Sequence, residues 1–182
     1  TTGQRPEALF AHIPGLRVVI PSTPRDSYGL MATALQTPGV TLFFEDRMIA
    51  DEGPWLDGDL ATGEPVPFGS LGLRWLPMTT QVRKVPMVTV LTYGIMRQRV
   101  EAILAPWLAA WNGDPYNEPN LSVDLLDLRS IYPVDFEYLK HGRYGLERTH
   151  KLLIVEPDVR FGGVGAEIAA RIAEEMPGVA VR

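Results

Sequence analysis

Cysteine is absent from the 182-residue sequence. Its absence excludes disulfide bonds, thiolate zinc sites and cysteine nucleophiles, and it fits a reducing compartment. Histidine is scarce, and no two of its three positions, His12, His141 and His150, stand at a spacing typical of metal ligands. We therefore interpret all three as structural or surface side chains. The residues predict neither a metal site nor a serine–histidine–aspartate triad.

Clusters of positive charge are also missing. The sequence has 17 Lys and Arg against 22 Asp and Glu, a net charge of -5. Nucleic acids and anionic membranes are bound by clustered lysines and arginines, so we expect neither as a partner. No apolar run approaches the roughly 18 residues that cross a bilayer. The first residues carry no secretory or transit signal and no methionine, which favours a fragment or a processed piece.

A strand, a helix and a second strand are predicted near the start. Residues 16–20 form a β-branched apolar run that reads as a buried strand. Thr23, Pro24 and Asp26 are typical of a helix start, with Thr23 as the cap. Residues 40–44 repeat the apolar strand pattern. Such a unit is typical of parallel sheets.

Residues 47–85 are rich in glycine, proline and aspartate, which predicts an extended connection. Beyond it, apolar strand patterns alternate with helical ones. The predicted strands are residues 87–92, 121–128, 151–155 and 179–181, and the predicted helices are residues 94–108, a short one capped by Asp135, and residues 166–176. Alternation of this kind predicts an α/β fold with three layers, α/β/α, around a mostly parallel sheet.

A glycine cluster, Gly162, Gly163 and Gly165, follows a strand and opens the last helix. This position suits either a phosphate held by helix amides or a close contact between strand and helix. The pattern is not G-x-G-x-x-G, no lysine follows, and Glu167 places a negative charge in the first turn. These features favour close packing over a phosphate site.

The last helix carries an acidic end. Glu167 and Arg171 stand four residues apart, which predicts an ion pair along the helix. Glu174 and Glu175 lie on another part of its surface. Two interpretations are open for them: an ordinary solvated face, or an acidic patch that binds a basic partner.

Five segments together resemble a known family: "PEALFAHIPGLRVVIPSTP", "GLMATALQTPGVTLFFED", "VTVLTYG", "VDLLDLRSIYPVD" and "LLIVEPDVRFGGVGAEIAARI". In this order they are similar to the beta subunit of thiamine-diphosphate-dependent 2-oxo acid dehydrogenases of the pyruvate, branched-chain and acetoin type. The resemblance covers nearly the whole chain. It implies that residues 1–46 are the tail of a pyrimidine-binding domain, residues 47–85 a linker, and residues 86–182 a transketolase-type C-terminal domain.

The resemblance also implies a function. The family decarboxylates a 2-oxo acid oxidatively and transfers the acyl unit to a lipoyl group, and this segment would serve mainly subunit association, inactive alone. Thiamine diphosphate and magnesium would bind mainly outside it, so we expect no cofactor-binding or metal-ligating residue here. The implied partners are an alpha subunit or fused alpha region, a second beta subunit and the lipoyl acyltransferase component. The implied location is the bacterial cytoplasm or, in a eukaryote, the mitochondrial matrix.

Two other functions stay open. One is a non-catalytic association module. The other is a related thiamine enzyme, such as a transketolase or a deoxyxylulose-phosphate synthase. Residues before Thr1 would discriminate between these possibilities, since the family's catalytic carboxylate lies there.

The resemblance assigns site residues as well. Thr2 stands in the slot of the family's catalytic histidine, and threonine has no group that titrates near neutral pH. Either another residue supplies the proton, or the histidine lies just before Thr1 in a shifted arrangement.

The remaining assignments are structural or concern a partner. The glycine turn would be architecture, Arg129 would pair with a carboxylate, and Asp135 would cap a helix. Glu174 would contact the basic subunit-binding domain of the acyltransferase, with Glu175 beside it.

Overall fold

The computed structural model describes residues 5–51, 64–75, 87–110 and 122–182. The helices are α1 (Glu7–Ala11), α2 (Pro24–Gln36), α3 (Arg47–Asp51), α4 (Ile95–Ala110), α5 (Phe136–His141), α6 (Leu146–Thr149) and α7 (Val164–Glu175). The strands are β1 (Leu16–Val19), β2 (Val40–Phe43), β3 (Gly72–Trp75), β4 (Met87–Thr92), β5 (Ser122–Asp127), β6 (Ser130–Tyr132), β7 (Lys151–Val155) and β8 (Ala180–Val181). Among the described residues, no helix is both long and apolar enough to span a bilayer.

The predicted strand–helix–strand unit is β1–α2–β2. The side chain of Thr23 accepts a hydrogen bond from the Asp26 amide at 3.0 Å, and Pro24 occupies the first turn of α2. Strands β1 and β2 then pair in parallel, with Leu16 opposite Val40. The start signals of α2 are therefore confirmed, because the side-chain oxygen satisfies an amide that lacks a partner within the helix.

A five-stranded sheet, sheet B, forms the centre of the remaining chain. Its strand order is β3-β5-β4-β7-β8, and every neighbouring pair except β3 and β5 is parallel. The predicted strands at residues 87–92 and 151–155 are confirmed as β4 and β7. The predicted α/β class with a mostly parallel sheet is confirmed as well.

Both faces of sheet B are covered. Val90 and Leu125 pack with Val100 of α4 on one face. Leu91 and Leu126, their neighbours in sequence, belong to a larger core on the other face. Successive side chains of a strand point to opposite faces, so each central strand contributes to two apolar layers.

Two strands depart from the sequence expectation. Strand β3 falls within residues 47–85, predicted to be an extended connection, yet it pairs antiparallel with β5. Strand β6 was not predicted, and it leaves sheet B to pair antiparallel with β1 in a second sheet of order β2-β1-β6. Both are short, so neither shows the length of alternation that marks a strand in sequence.

The larger core unites the two ends of the chain. Val18 and Ile20, from β1 and the residue that follows it, are fully buried with Leu139 of α5 and Ile168 of α7. Leu126 of sheet B belongs to the same cluster. The β1–α2–β2 unit is therefore packed against the later domain and shares its apolar interior.

Candidate functional site

The glycine turn between β7 and α7 is a close contact. Gly163 precedes the first residue of α7, and a Cβ atom there would lie 2.5 Å from the carbonyl oxygen of Val159. A Cβ atom on Gly165 would lie 2.6 Å from Oε1 of Glu156. Gly162 has a φ of +72°, in the left-handed region that favours glycine. All three positions thus depend on glycine, two through space and one through backbone conformation.

The anion-binding end of α7 is occupied by Glu156, the residue after β7. The Gly165 amide donates a hydrogen bond to Oε2 of Glu156 at 2.9 Å, and the Tyr93 hydroxyl donates to the same oxygen at 3.3 Å. Burial raises the pKa of Glu156, while these two hydrogen bonds oppose the rise. A phosphate at this helix end would have to displace the carboxylate, which favours the packing interpretation.

Glu156 and Tyr93 also lie at the crevice where ligands bind in many α/β sheets. Strand β4 leads to β5 on one side, and the chain then returns to β7 on the other, so the strand order reverses between β4 and β7. Ligands of open α/β sheets occupy the carboxyl ends of the strands at such a point. Here Tyr93 follows β4, Glu156 follows β7, and Tyr93 is only 1% exposed.

The helix α1 brings a further carboxylate to this place. Glu7 is 1% exposed, and its Oε1 lies 3.6 Å from the guanidinium of Arg5. Burial raises the pKa of Glu7, and burial followed by the charges of Glu156, Glu7 and Asp158 raises that of Tyr93. Tyr93 therefore stays a neutral phenol that donates its proton in a hydrogen bond.

A polar seam joins the β1–α2–β2 unit to the end of β5; we define it as Ser22 and Asp26 with Asp127 and Arg129. The Ser22 hydroxyl donates to Oδ1 of Asp127 at 2.8 Å. The Arg129 guanidinium lies 3.4 Å from Oδ1 of Asp26 and donates to the carbonyl of Ser70 at 3.0 Å. The predicted carboxylate partner of Arg129 is thus supplied by α2, over 100 residues earlier in the chain.

Asp127, 3% exposed, is the most deeply buried ionisable member of the polar seam. Burial, followed by the nearby charge of Asp26, raises its pKa to about 7. The Ser22 hydroxyl and the cations Arg97 and Arg129 oppose this rise. Asp127 therefore holds its proton to a higher pH than an exposed aspartate does, although two cations lie nearby, because ionisation would place a charge in a poorly solvated site.

Asp135 lies at the first turn of α5. Its Oδ1 accepts a hydrogen bond from the Tyr138 amide at 2.8 Å, the geometry of a helix cap. The side chain is exposed, so this contact orders the local chain and reaches no cavity.

The acidic end of α7 is partly neutralised. Glu175 accepts from Arg171 and from Lys140, each at 2.6 Å, and these two contacts, Lys140 first, lower its pKa. Glu174 is exposed beside it. The predicted pair of Glu167 with Arg171 is wrong: the Arg171 guanidinium lies 3.8 Å from the centre of the Phe136 ring and pairs with Glu175.

An apolar groove of about 610 Å³ lies near the start of α7. Helix α1, the segment between β6 and α5, and the first turns of α7 form its walls. Tyr132 and Phe136 contribute aromatic surface, and His12, Glu167 and Arg171 supply its ionisable side chains. Because its lining is mainly apolar, the groove has the character of a protein contact surface.

Comparison with known proteins places the chain in a family. Residues 79–181 match the model of the transketolase C-terminal domain, and residues 1–51 match that of the transketolase pyrimidine-binding domain. The chain belongs to the transketolase C-terminal domain family. This family membership accords with the parallel sheet B and with the β1–α2–β2 unit that precedes it.

Curated relatives make the likeness more specific. The chain is 31% identical over 175 residues to the 2-oxoisovalerate dehydrogenase subunit beta of Bacillus subtilis, covering 94% of this chain and 46% of the relative. It is 33% identical over 173 residues to the pyruvate dehydrogenase E1 component subunit beta of Porphyra purpurea, covering 95% and 45%. The chain therefore spans about half the length of the relatives it matches.

A solved structure shares the fold. It is described as a split gene transketolase, inactive beta4 tetramer, and it has a TM-score of 0.66 with this chain at 19% identity. The match covers 96% of this chain and 49% of that one. At this level of identity the comparison supports the transketolase-like fold alone.

Thr2 and the three histidines are the remaining residues that the sequence analysis discussed. Thr2, in the family's histidine slot, lies outside the described residues. His12, His141 and His150 are all exposed, and His141 lies 2.7 Å from Glu147. Within the described part of the chain, no group of His, Cys, Asp and Glu could hold a metal ion.

Sequence reasoning missed Tyr93, Glu156 and Asp127. Tyr93 and Glu156 directly follow predicted strands, and Asp127 lies next to the end of the predicted strand 121–128, at the edge of the sheet where functional side chains gather. That position is a signal which the sequence offered. Their partners were not visible, because Ser22 and Asp127 are 105 residues apart.

Proposed function

We propose that this chain is the C-terminal part of the beta region of a thiamine-diphosphate-dependent 2-oxo acid dehydrogenase, and that it serves mainly subunit association. The intact enzyme would decarboxylate a 2-oxo acid oxidatively and pass the acyl unit to a lipoyl group. The proposal is supported by relatives of both the pyruvate and the branched-chain type, each similar over more than nine-tenths of this chain.

One structural observation carries the assignment of an associating role. At the carboxyl ends of β4 and β7, the chain's own Tyr93 and Gly165 donate hydrogen bonds to the Glu156 carboxylate. The donors at this place are therefore engaged within the chain, which supports a role for the outer surfaces. Exposed apolar side chains such as Phe161, 96% accessible, and Val159, 69% accessible, suit burial against another polypeptide.

The start of α7 does not suit a diphosphate, because its Gly165 amide already donates to Glu156. Among the described residues there is no group of His, Cys, Asp or Glu that could hold a metal ion. The matched pyrimidine-binding domain and the names of the relatives point to the thiamine cofactor. We propose that it and magnesium bind outside this segment.

The domain division is also a proposal. Residues 1–46 would end the pyrimidine-binding domain, residues 47–85 connect, and residues 86–182 form the C-terminal domain. The two family matches, which end at residue 51 and begin at residue 79, support this division. Strand β3 is then contributed to sheet B by the connection.

The activity is tested with the intact protein, isolated with its bound partners and supplied with thiamine diphosphate, magnesium and several 2-oxo acids. Reduction of an electron-accepting dye reports oxidation of the acyl carbanion. We expect turnover with at least one 2-oxo acid and none when thiamine diphosphate is left out. Cofactor binding without turnover of any 2-oxo acid would reject the assignment, and turnover of ketose phosphates instead would indicate a transketolase.

The expected partners are an alpha subunit or fused alpha region, a second beta subunit and the lipoyl acyltransferase component. We propose that Glu174, with Glu175 beside it, meets the basic subunit-binding domain of the acyltransferase. The exposed position of Glu174 at the end of α7 supports a contact, whereas Glu175 is already paired with two cations. The cellular location would be the cytoplasm or the mitochondrial matrix, and the relatives include a mitochondrial form from Arabidopsis thaliana.

Charge reversal tests this contact. Glu174→Lys should weaken capture of the protein by the immobilised acyltransferase component and leave dye-linked turnover unchanged, because the contact is electrostatic and the chemistry is proposed to lie outside this segment. Glu64→Lys, at an exposed glutamate away from α7, is the matched control. Equal capture of both variants and of the wild type would remove Glu174 from the docking surface.

A further inference from the structure

The polar seam is the feature from which a further property follows. Three contacts connect residues 22–26 to the domain of sheet B: the Ser22 hydroxyl with Asp127 at 2.8 Å, the Ser22 carbonyl with Gln98 at 3.2 Å, and Asp26 with Arg129 at 3.4 Å. Besides the shared apolar core, this network is what holds the start of α2 in place.

A backbone hydrogen bond also joins β1 to the turn after β5, and its exchange can be measured. The Ile20 amide donates to the Arg129 carbonyl at 2.8 Å, and Arg129 adopts a φ of +50° where that carbonyl turns toward β1. The Ile20 hydrogen bond therefore breaks whenever the β1–α2–β2 unit separates from the turn after β5.

We propose that the buried carboxyl group of Asp127 makes the polar seam sensitive to pH, so that the seam is held closed when Asp127 carries a proton and is loosened when it is ionised. The proposal goes beyond the proposed function and does not depend on it. Three charged groups act on Asp127: Asp26 from α2, Arg97 from α4, and Arg129 from the turn after β5. Strands β3 and β4 place the uncharged Gly72 and Thr92 opposite it.

The surroundings of Asp127 explain why ionisation weakens the contact. The charge of Asp26 acts on Asp127, and Arg129 bridges the two, with its amide donating to Oδ1 of Asp127 at 3.4 Å and its guanidinium bonded to Asp26 and Ser70. Arg97 is paired with Glu101 at 2.9 Å. A new charge on Asp127 thus meets cations that other groups already engage and a second carboxylate that repels it. Opening the seam would let water solvate this charge.

The sign of the pH dependence follows from the pKa of Asp127, raised to about 7. The closed form then holds a proton that the open form has released at neutral pH. Closure is favoured most below the ordinary aspartate range and loses this contribution as pH rises through 7. From pH 6 to pH 8, release of this proton should increase the equilibrium constant for opening about tenfold.

Hydrogen exchange of the Ile20 amide in the intact protein tests the proposal. After correction for intrinsic exchange rates, we expect opening to increase about tenfold between pH 6 and pH 8 in the wild type. Asp127→Asn keeps an oxygen for the Ser22 hydroxyl but cannot ionise, so its opening should be independent of this proton. Asp135→Asn, at an exposed aspartate, is the control and should behave as the wild type.

A second measurement decides the matter even if Asp127→Asn does not fold. The carbon-13 resonance of the Asp127 carboxyl in the wild type should titrate with a midpoint near 7. A midpoint below 5, or the same tenfold change in Asp127→Asn as in the wild type, would overturn the proposal. All other ionisable groups are shared by the variants, so their contributions cancel in the comparison.

Discussion

Two carboxylates at the same edge of sheet B have opposite roles. Glu156, after β7, is satisfied within its own domain by the Gly165 amide and the Tyr93 hydroxyl. Asp127, at the end of β5, is satisfied by Ser22, from a different part of the chain. One acid therefore fixes the contact between β4, β7 and α7, and the other joins two regions. The two carboxylates occupy similar positions at strand ends, so their different roles come from where in the chain their hydrogen-bond donors lie.

The largest effect is expected where Glu156 is held. Gly165→Ala would place a Cβ atom 2.6 Å from Oε1 of Glu156 and 2.9 Å from Cγ2 of Ile154. We expect a loss of about 3 kcal/mol in the free energy of unfolding, from overpacking and from the weakened carboxylate contacts. Urea unfolding of the intact protein measures it.

Gly178→Ala is the matched control, since a Cβ atom there would meet nothing within 4 Å. It should change the free energy of unfolding by less than about 0.5 kcal/mol. A similar small change for Gly165→Ala would show that the crevice is looser than the structure indicates.

A smaller effect is expected at the seam. Ser22→Ala removes the hydroxyl that donates to Asp127, and we expect it to lower the free energy of unfolding by about 1.5 kcal/mol. It should also raise the pKa of Asp127 further, because that hydrogen bond favours the ionised form. Carbon-13 titration of Asp127 in the variant reads out the shift. A downward shift would contradict the assigned direction of the hydrogen bond.

The smallest effect is expected for an exposed carboxylate with a local role. Asp135→Ala removes the cap of α5 and should cost about 1 kcal/mol of stability. Asp135→Asn retains an accepting oxygen and should cost much less. Thermal unfolding of the two variants gives the difference, and equal losses would show that charge rather than capping matters there.

Local features of the fold were predictable from the sequence. Strands β4 and β7 have continuous apolar patterns, and Thr23, Pro24 and Asp26 predict the start of α2. Each of these patterns spans only a few residues. Helix α7 begins two residues before its predicted start, because the glycine turn is shorter than the composition suggested.

The site was less predictable because its contacts are distant in sequence. Asp26 and Arg129 pair although they are 103 residues apart in sequence, and the sequence around either residue does not indicate its partner. The predicted ion pair of Arg171 with Glu167 is wrong for the same reason. Spacing along the helix favoured Glu167, but the guanidinium stacks on the ring of Phe136 and bonds to Glu175. Tertiary packing thus overrides a helical pairing rule that contributes only a few tenths of a kcal/mol.

The pairing of β6 with β1 bears on recombination between relatives. An exchange of the last hundred residues for those of a homologue would pair β1 of one parent with β6 of the other. It would also place Ser22 and Asp26 from one parent against residues 127 and 129 from the other. A chimaera that keeps these contacts within one parental sequence should therefore be the more stable one.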